Sequence, residues 1–159
     1  MAIQNIMVAV GAFSHSLVPA KYAVVLAKQL NARLTAVHVI NVKVLKDLLK
    51  NRVFVESEAR QYECDLEEQG RLFMERLTKL AGEKGVTLET AIVRGEISIE
   101  VCRKAQEMKA DILVMGELKQ IFSTAEFFYD EGERLFRRAH CPILVVKDPE
   151  RVEALYAEA

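Results

Sequence analysis

No apolar run in this 159-residue chain exceeds strand length, so nothing in it can cross a membrane as a helix. Neither sign of charge dominates. With 22 basic and 23 acidic residues the net charge is −1, and no global field draws the chain to nucleic acid or anionic lipid. Cysteines are few, odd in number and far apart. Cys64, Cys102 and Cys141 lack CxxC or metal-ligand spacing, which predicts free buried thiols in a reducing cytosol. No flanking cluster is placed to stabilise the thiolate that a redox sensor needs. The three histidines show no HxH, HExxH or carboxylate spacing, so a metal site has little support. The opening MAIQNIMVAV has no basic n-region and runs straight into a strand, which argues against a secretory leader. A hydrophobic fraction of 51% is enough for one self-sufficient domain over 1–159.

What is present is a regular alternation. Five short β-branched runs stand out: 6–10, 34–40, 86–93, 112–116 and 142–147. Four are apolar at nearly every position, as strands buried on both faces must be. The third, with Thr87, Glu89 and Thr90, suits an edge. Between them lie helical patterns. Ser16 can cap a helix through Asn31 that tolerates Pro19 in its first turn and sets Tyr22, Val25, Leu26 and Leu30 on one face. Residues 96–109 and 130–139 give two more, each opening on acids. Strand and helix in alternation predict a parallel sheet with right-handed crossovers.

The crossover at 43–85 is unusually long. A stripe of Tyr62, Leu66, Phe73, Leu77 and Leu80 predicts a helix from about Ser57 to Ala81 packed on the sheet, with Phe73 buried and Glu67–Arg71 and Glu75–Lys79 as i,i+4 pairs. Before it, Lys43, Lys46, Lys50 and Arg52 stand against Asp47, a net of +3, and residues 56–68 hold six acids against Arg60, a net of −5. These read as solvated helix faces, with a partner-binding surface as the alternative. The tail, 148–159, reads as a short amphipathic helix.

Candidate chemistry is sparse. In GAFSHS (11–16) adjacent Ser14 and His15 diverge, no third group orients the imidazole, and GxSxG is absent, so an N-cap outweighs a nucleophile. The same turn could offer backbone N–H groups to an anion. His38 lies in an apolar run and reads as a satisfied core histidine. His140, at a helix end, can face the C-terminal dipole. A receiver domain would need acids after the first strand, where Gly11, Ala12 and Phe13 stand.

Taken together, NIMVAVGAFSHS, KYAVVLAKQLNARLTAVHVI, RGEISIEVCRKAQEMKADILVMG and ERLFRRAHCPILVVK resemble the universal stress protein family in order and spacing. The resemblance covers nearly the whole chain except 43–85 and the tail. It implies a doubly wound α/β domain of the adenine nucleotide alpha hydrolase-like kind, a five-stranded parallel sheet in the order 3-2-1-4-5. In nucleotide-binding members ATP lies in a loop patterned Gly-x-x-Gly, nine residues, then Gly-Ser/Thr. Here Gly116 matches, the second glycine falls on Lys119 and the closing pair on Tyr129-Asp130. The acidic residue that ends the first strand in those members falls on Gly11. The implied cleft, of Gly11, Ala12, Ile40, Met115, Gly116, Lys119, Tyr129 and Asp130, is therefore degenerate.

Physical chemistry agrees with that reading. Glycines let backbone amides approach phosphates, whereas Lys119 and Tyr129 bring side chains into the approach. Residues 117–131 carry Glu117, Glu126, Asp130 and Glu131 against Lys119, a net of −3. At an effective dielectric near 20, a carboxylate about 4 Å from a phosphate oxygen costs on the order of 4 kcal/mol. Phe122, Phe127, Phe128 or Tyr129 would fill the pocket. The expectation is a cytoplasmic, non-catalytic regulatory or interaction module of stress response, without a cofactor and with an unidentified protein partner. It would form a homodimer through Ile143, Leu144, Val145 and Val146 of the last strand, with cover by the tail helix as the competing arrangement. An ATP-binding switch or slow ATPase is the alternative, and a binder of a neutral or cationic metabolite is a third reading.

Overall fold

A strand that is apolar at every position needs cover on both faces, and a parallel sheet between two helix layers supplies it. The structure, a computed structural model, describes residues 2–11, 16–117 and 125–159. In chain order the elements are β1 (Asn5–Ala9), α1 (Val18–Leu30), β2 (Arg33–Asn41), α2 (Val42–Lys50), α3 (Glu56–Glu83), β3 (Leu88–Gly95), α4 (Ile97–Glu107), β4 (Ile112–Gly116), α5 (Ala125–Arg138), β5 (Ile143–Val146) and α6 (Pro149–Glu158). The strands form one parallel sheet in the order β3-β2-β1-β4-β5, the order expected. Register sets Val8 beside Ala36 and Val114. Their face, with Ile6 and Leu34, packs under α1, α3 and α6. Met7, Ala9, Val37, Leu113 and Met115 face the other way, under α4 and α5. The polar third strand is indeed an edge, with Glu89 and Thr90 exposed.

Boundaries shifted where helices close. Val86 was expected in the strand, but its N–H bonds to Ala81 O at 2.9 Å while Gly85 takes φ +74°. That is a helix-ending motif, so β3 begins two residues later. The same closure ends α1, where Asn31 is left-handed and Ala32 N bonds to Ala27 O at 2.9 Å. The inward face of α1 is also not the stripe of large residues expected. Of that stripe Val25 is buried in the core beside Ala20, Ala23, Val24 and Ala27, whereas Tyr22 and Leu26 are only partly buried and Leu30 is exposed. Small residues bring the helix axis close, and the bulky ones then fill the flanks.

The long crossover divides in two, α2 and the 28-residue α3. The line that α3 turns inward is Gly70, Met74, Leu77 and Ala81, with Leu66, Phe73 and Leu80 half-buried beside it and Tyr62 exposed. Arg71 pairs with Glu68 at 2.6 Å and with Glu75, while Glu67 and Glu63 reach across to Arg94 on β3. The expected Glu67–Arg71 pair thus loses to a bond that ties α3 to the sheet edge. At the opposite end of the sheet, Asp111 accepts from Gln4 N at 2.8 Å and Asn5 N at 2.9 Å, which holds its carboxyl below the usual range.

The tail helix forms as expected, capped by Asp148, whose side chain accepts from Arg151 N at 3.2 Å. It lies on α1 and α3. Val152 and Tyr156 are buried there, Tyr156 OH donates to Leu80 O at 2.7 Å, and Lys21 pairs with Glu153 at 2.8 Å. Lys84 and Lys21 stand 4.7 and 5.3 Å from the centre of the Tyr156 ring.

Because Leu77 is 2% exposed and Phe73 only half-buried, Leu77→Ala should cost about 2–5 kcal/mol. Phe73→Ala should cost roughly 1–2 kcal/mol, since less surface is removed from water. Urea unfolding of both variants checks this, and a larger loss at Phe73 would show that the face is assigned wrongly.

Candidate functional site

In an open parallel sheet the ligand crevice lies outside the strand ends where the winding reverses. The order β3-β2-β1-β4-β5 puts that point between β1 and β4. Its rim is Val10–Gly11 after β1, Gly116–Glu117 after β4 and the first turn of α1. Met115 is fully buried toward α4 and α5, and Ile40 is 2% exposed. Both are core side chains, so the structure does not bring them to the surface of the crevice. Ala12, Phe13, Ser14, His15, Lys119 and Phe122 lie outside the described residues. So do the side chains of Phe127, Phe128, Tyr129 and Asp130, although their backbone belongs to α5. That helix begins at Ala125, five residues before the expected start.

Three close packings define what is described. Gly11 is left-handed at φ +70°, and a Cβ there would sit 2.5 Å from His38 Nδ1. Gly70 of α3 presses the other side of the same ring, where a Cβ would lie 2.7 Å from Cδ2 and 3.1 Å from Nε2. The imidazole is thus clamped between a strand end and a helix, and Nδ1 lies 3.1 Å from Val10 O. A carbonyl can only accept, so Nδ1 carries the proton. His38 is a satisfied histidine, as expected, but it stands at the crevice edge. An aspartate at position 11 would drive its Cβ into the His38 ring, which would have to move. The third packing is at Gly116, where a Cβ would sit 2.9 Å from Pro19 Cγ. That glycine is required by α1 whether or not a phosphate ever approaches.

The first turn of α1 is a poor anion site. Val18 N already donates to Ser16 Oγ at 3.2 Å, and Pro19 has no N–H to give. The acidic charge counted nearby is partly committed elsewhere. Glu131 is fully buried and accepts from Ser98 N at 3.1 Å and from Arg134 at 2.9 Å; Arg134 also holds Glu96 at 3.0 Å, and Arg138 donates to Ser98 Oγ at 3.2 Å. This carboxylate caps α4 from α5 and adds nothing to repulsion in the crevice, which corrects the sequence-based charge count. Glu117 lies 3.9 Å from Lys147. No sequence pattern announced this role of Glu131, because Ser98, whose N–H it accepts, lies 33 residues away.

The cysteines divide. Cys102 is buried and Cys141 half-buried, and burial pushes both thiols up from 9.0. Cys64 is exposed, against expectation, because it lies on the outer face of α3. His140 is exposed beyond the end of α5. Among the described residues no helix is long and apolar enough to cross a membrane.

The sheet order and the crevice at its reversal define a doubly wound α/β protein of the class that receives ligands at the carboxyl edge of the sheet. Within that class the chain belongs to the universal stress protein family, whose model matches residues 2–147. It is 31% identical over 136 residues to universal stress protein MJ0531 of Methanocaldococcus jannaschii, covering 86% of this chain and 77% of that protein. Among solved structures it is similar to hypothetical protein MJ0577 (TM-score 0.71, 23% identity, 93% and 98% of the two chains). It is also similar to a universal stress protein in complex with cAMP (0.64, 20%, 92% and 98%) and to one from Archaeoglobus fulgidus in complex with dAMP (0.62, 16%, 92% and 100%). At these identities the structures speak for the fold.

Gly70→Ala tests the clamp. Alanine outranks glycine in a helix by about 1 kcal/mol, whereas overpacking a fixed ring costs about 1–3 kcal/mol. Gly70→Ala should therefore destabilise the wild type and stabilise the His38→Ala variant in urea unfolding. Stabilisation in both backgrounds would mean that the ring simply moves aside.

Proposed function

We propose that this family member is a cytoplasmic, homodimeric regulatory or interaction module of stress response, one that binds ATP weakly or not at all and catalyses nothing. The observation that carries the reading is the crevice rim. Where a phosphate would need open backbone amides, Val18 N is bonded to Ser16 Oγ and Pro19 lacks a donor. Where nucleotide-binding members of the family have an acid, Gly11 lies against His38. Lys119 and Tyr129-Asp130 stand where the nucleotide loop needs glycines. The free thiols suit a reducing cytosol.

The second reading is an adenine-nucleotide switch or slow ATPase in the same crevice. It is favoured by the nucleotide complexes of two similar structures, with cAMP and with dAMP. Isothermal titration with Mg-ATP at physiological salt separates the two. We expect no low-micromolar binding and no nucleotide in native mass spectra of the purified protein. A low-micromolar dissociation constant overturns the first reading in favour of the second.

Dimerisation is argued from β5. Among the described residues its one strand neighbour is β4, Ile143 and Leu144 are half-buried, Val146 is 5% exposed and Val145 37%. A short apolar edge of this kind is normally paired, covered or charged. The tail helix is committed to α1 and α3, which weakens the competing idea that it covers the edge. Pairing with its own copy across a two-fold axis satisfies the edge and stops growth. Sedimentation at micromolar concentration and physiological salt should show a dimer, and Val145→Lys should shift it toward monomer under those conditions. A single monomeric species for the unmodified protein refutes this.

A further inference from the structure

Two oppositely charged segments adjoin at one corner of the molecule. α2 and the turn after it carry Lys43, Lys46, Lys50 and Arg52 against Asp47; the first half of α3 carries Glu56, Glu58 and four further acids against Arg60. Among the described residues none of those four cations has an ion pair within the chain, and neither do Glu56 and Glu58. Between the two helices runs a groove of about 390 Å³, floored by Val42, Leu45 and Ala59. Lys46, Leu49 (37% exposed), Glu56, Arg60 and Glu63 complete its lining, and the turn beside it adds an apolar rim of Val53 and Val55, each 60% exposed.

The occupant follows from the charges. An anionic lipid surface or an acidic peptide would be drawn to α2, yet would meet the acids of α3. Packed helices lie about 8–10 Å apart, within a Debye length of about 8–10 Å at ordinary salt, so that repulsion is not screened away. A basic partner meets the converse problem at α2. A second copy related by a two-fold axis does not. In an isologous contact each α2 faces the partner's α3, so both signs are matched twice and the apolar rim loses water on both sides. We propose that the α2–α3 corner is a self-association surface that takes a second copy of this chain, separate from the β5 edge.

The test removes the β5 route and then exchanges charges. In a Val145→Lys background, one variant adds Lys46→Glu with Lys50→Glu, and another adds Glu56→Lys with Glu58→Lys. Sedimentation velocity at low salt should show a concentration-dependent dimer for Val145→Lys. Each reversal should weaken it by about tenfold or more, from several modest ion pairs lost at once. An equimolar mixture of the two reversed proteins should recover the parent's dimer constant, because opposite faces are again paired. The proposal is overturned if Val145→Lys stays monomeric at high micromolar concentration, if the reversals change nothing, or if the mixture associates no better than its components. Binding of monomeric Val145→Lys to phosphatidylglycerol vesicles would assign the corner to a membrane instead. Should Val145→Lys not fold, carbodiimide coupling of mixed light and 15N-labelled wild type decides. Links between copies joining lysines of 43–50 to carboxylates of 56–68 support the contact, and links within single copies alone overturn it.

Discussion

Strand β1 is enclosed on every side. Ile6 and Met7 have no exposed surface and Val8 has 1%, while β2 and β4 take both of its edges. Burying a strand on both faces demands a helix layer on each, and a parallel neighbour on each edge demands crossovers that pass over those faces. The winding therefore reverses at β1, and the reversal opens the crevice. Two small-residue contacts then determine how open it is. Gly116 lets Pro19 close in from α1, and Gly11 with Gly70 admits the His38 ring from β2.

The sheet was legible in the sequence for the same reason. Residues 6–10, 34–40, 112–116 and 142–147 are apolar at nearly every position, and a parallel sheet is the structure that can use such runs. The helix faces were less legible. The expected stripe on α3 gave weight to Tyr62 and Phe73, whereas the helix turns Gly70, Met74, Leu77 and Ala81 inward. Glycine and alanine carry almost no hydrophobic signal, yet they sit at the closest approach because they are small. The same misreading affected α1, where Ala20, Ala23 and Ala27 outrank Leu30.

At the candidate site, sequence could identify missing glycines and a missing acid but could not say what replaced them. His38 reads as a core residue in a strand. Only the fold shows that its ring reaches the space beside Gly11, 27 positions away. Glu131 shows the reverse error. Counted by proximity in sequence it is part of an acidic loop, but in the fold it is bonded to the N-terminus of α4 and to Arg134. Net charge along a segment predicts the local field only when its side chains share one face of the structure.

The two self-association patches proposed for this chain would carry a geometric consequence. A two-fold contact through β5 alone closes at two copies, and so does one through the α2–α3 corner alone. Used together they place two axes on each protomer. If those axes cross at right angles the assembly closes as a tetramer of dihedral symmetry, and if they do not it grows as an open chain. The two patches also answer differently to solution conditions. A β5 contact would be held by backbone hydrogen bonds and apolar side chains, which salt scarcely weakens, whereas a corner contact would depend on charges exposed within a Debye length of one another. Ionic strength would then act on one contact and spare the other, so that a dimer built on β5 would persist while any higher assembly formed or dissolved around it.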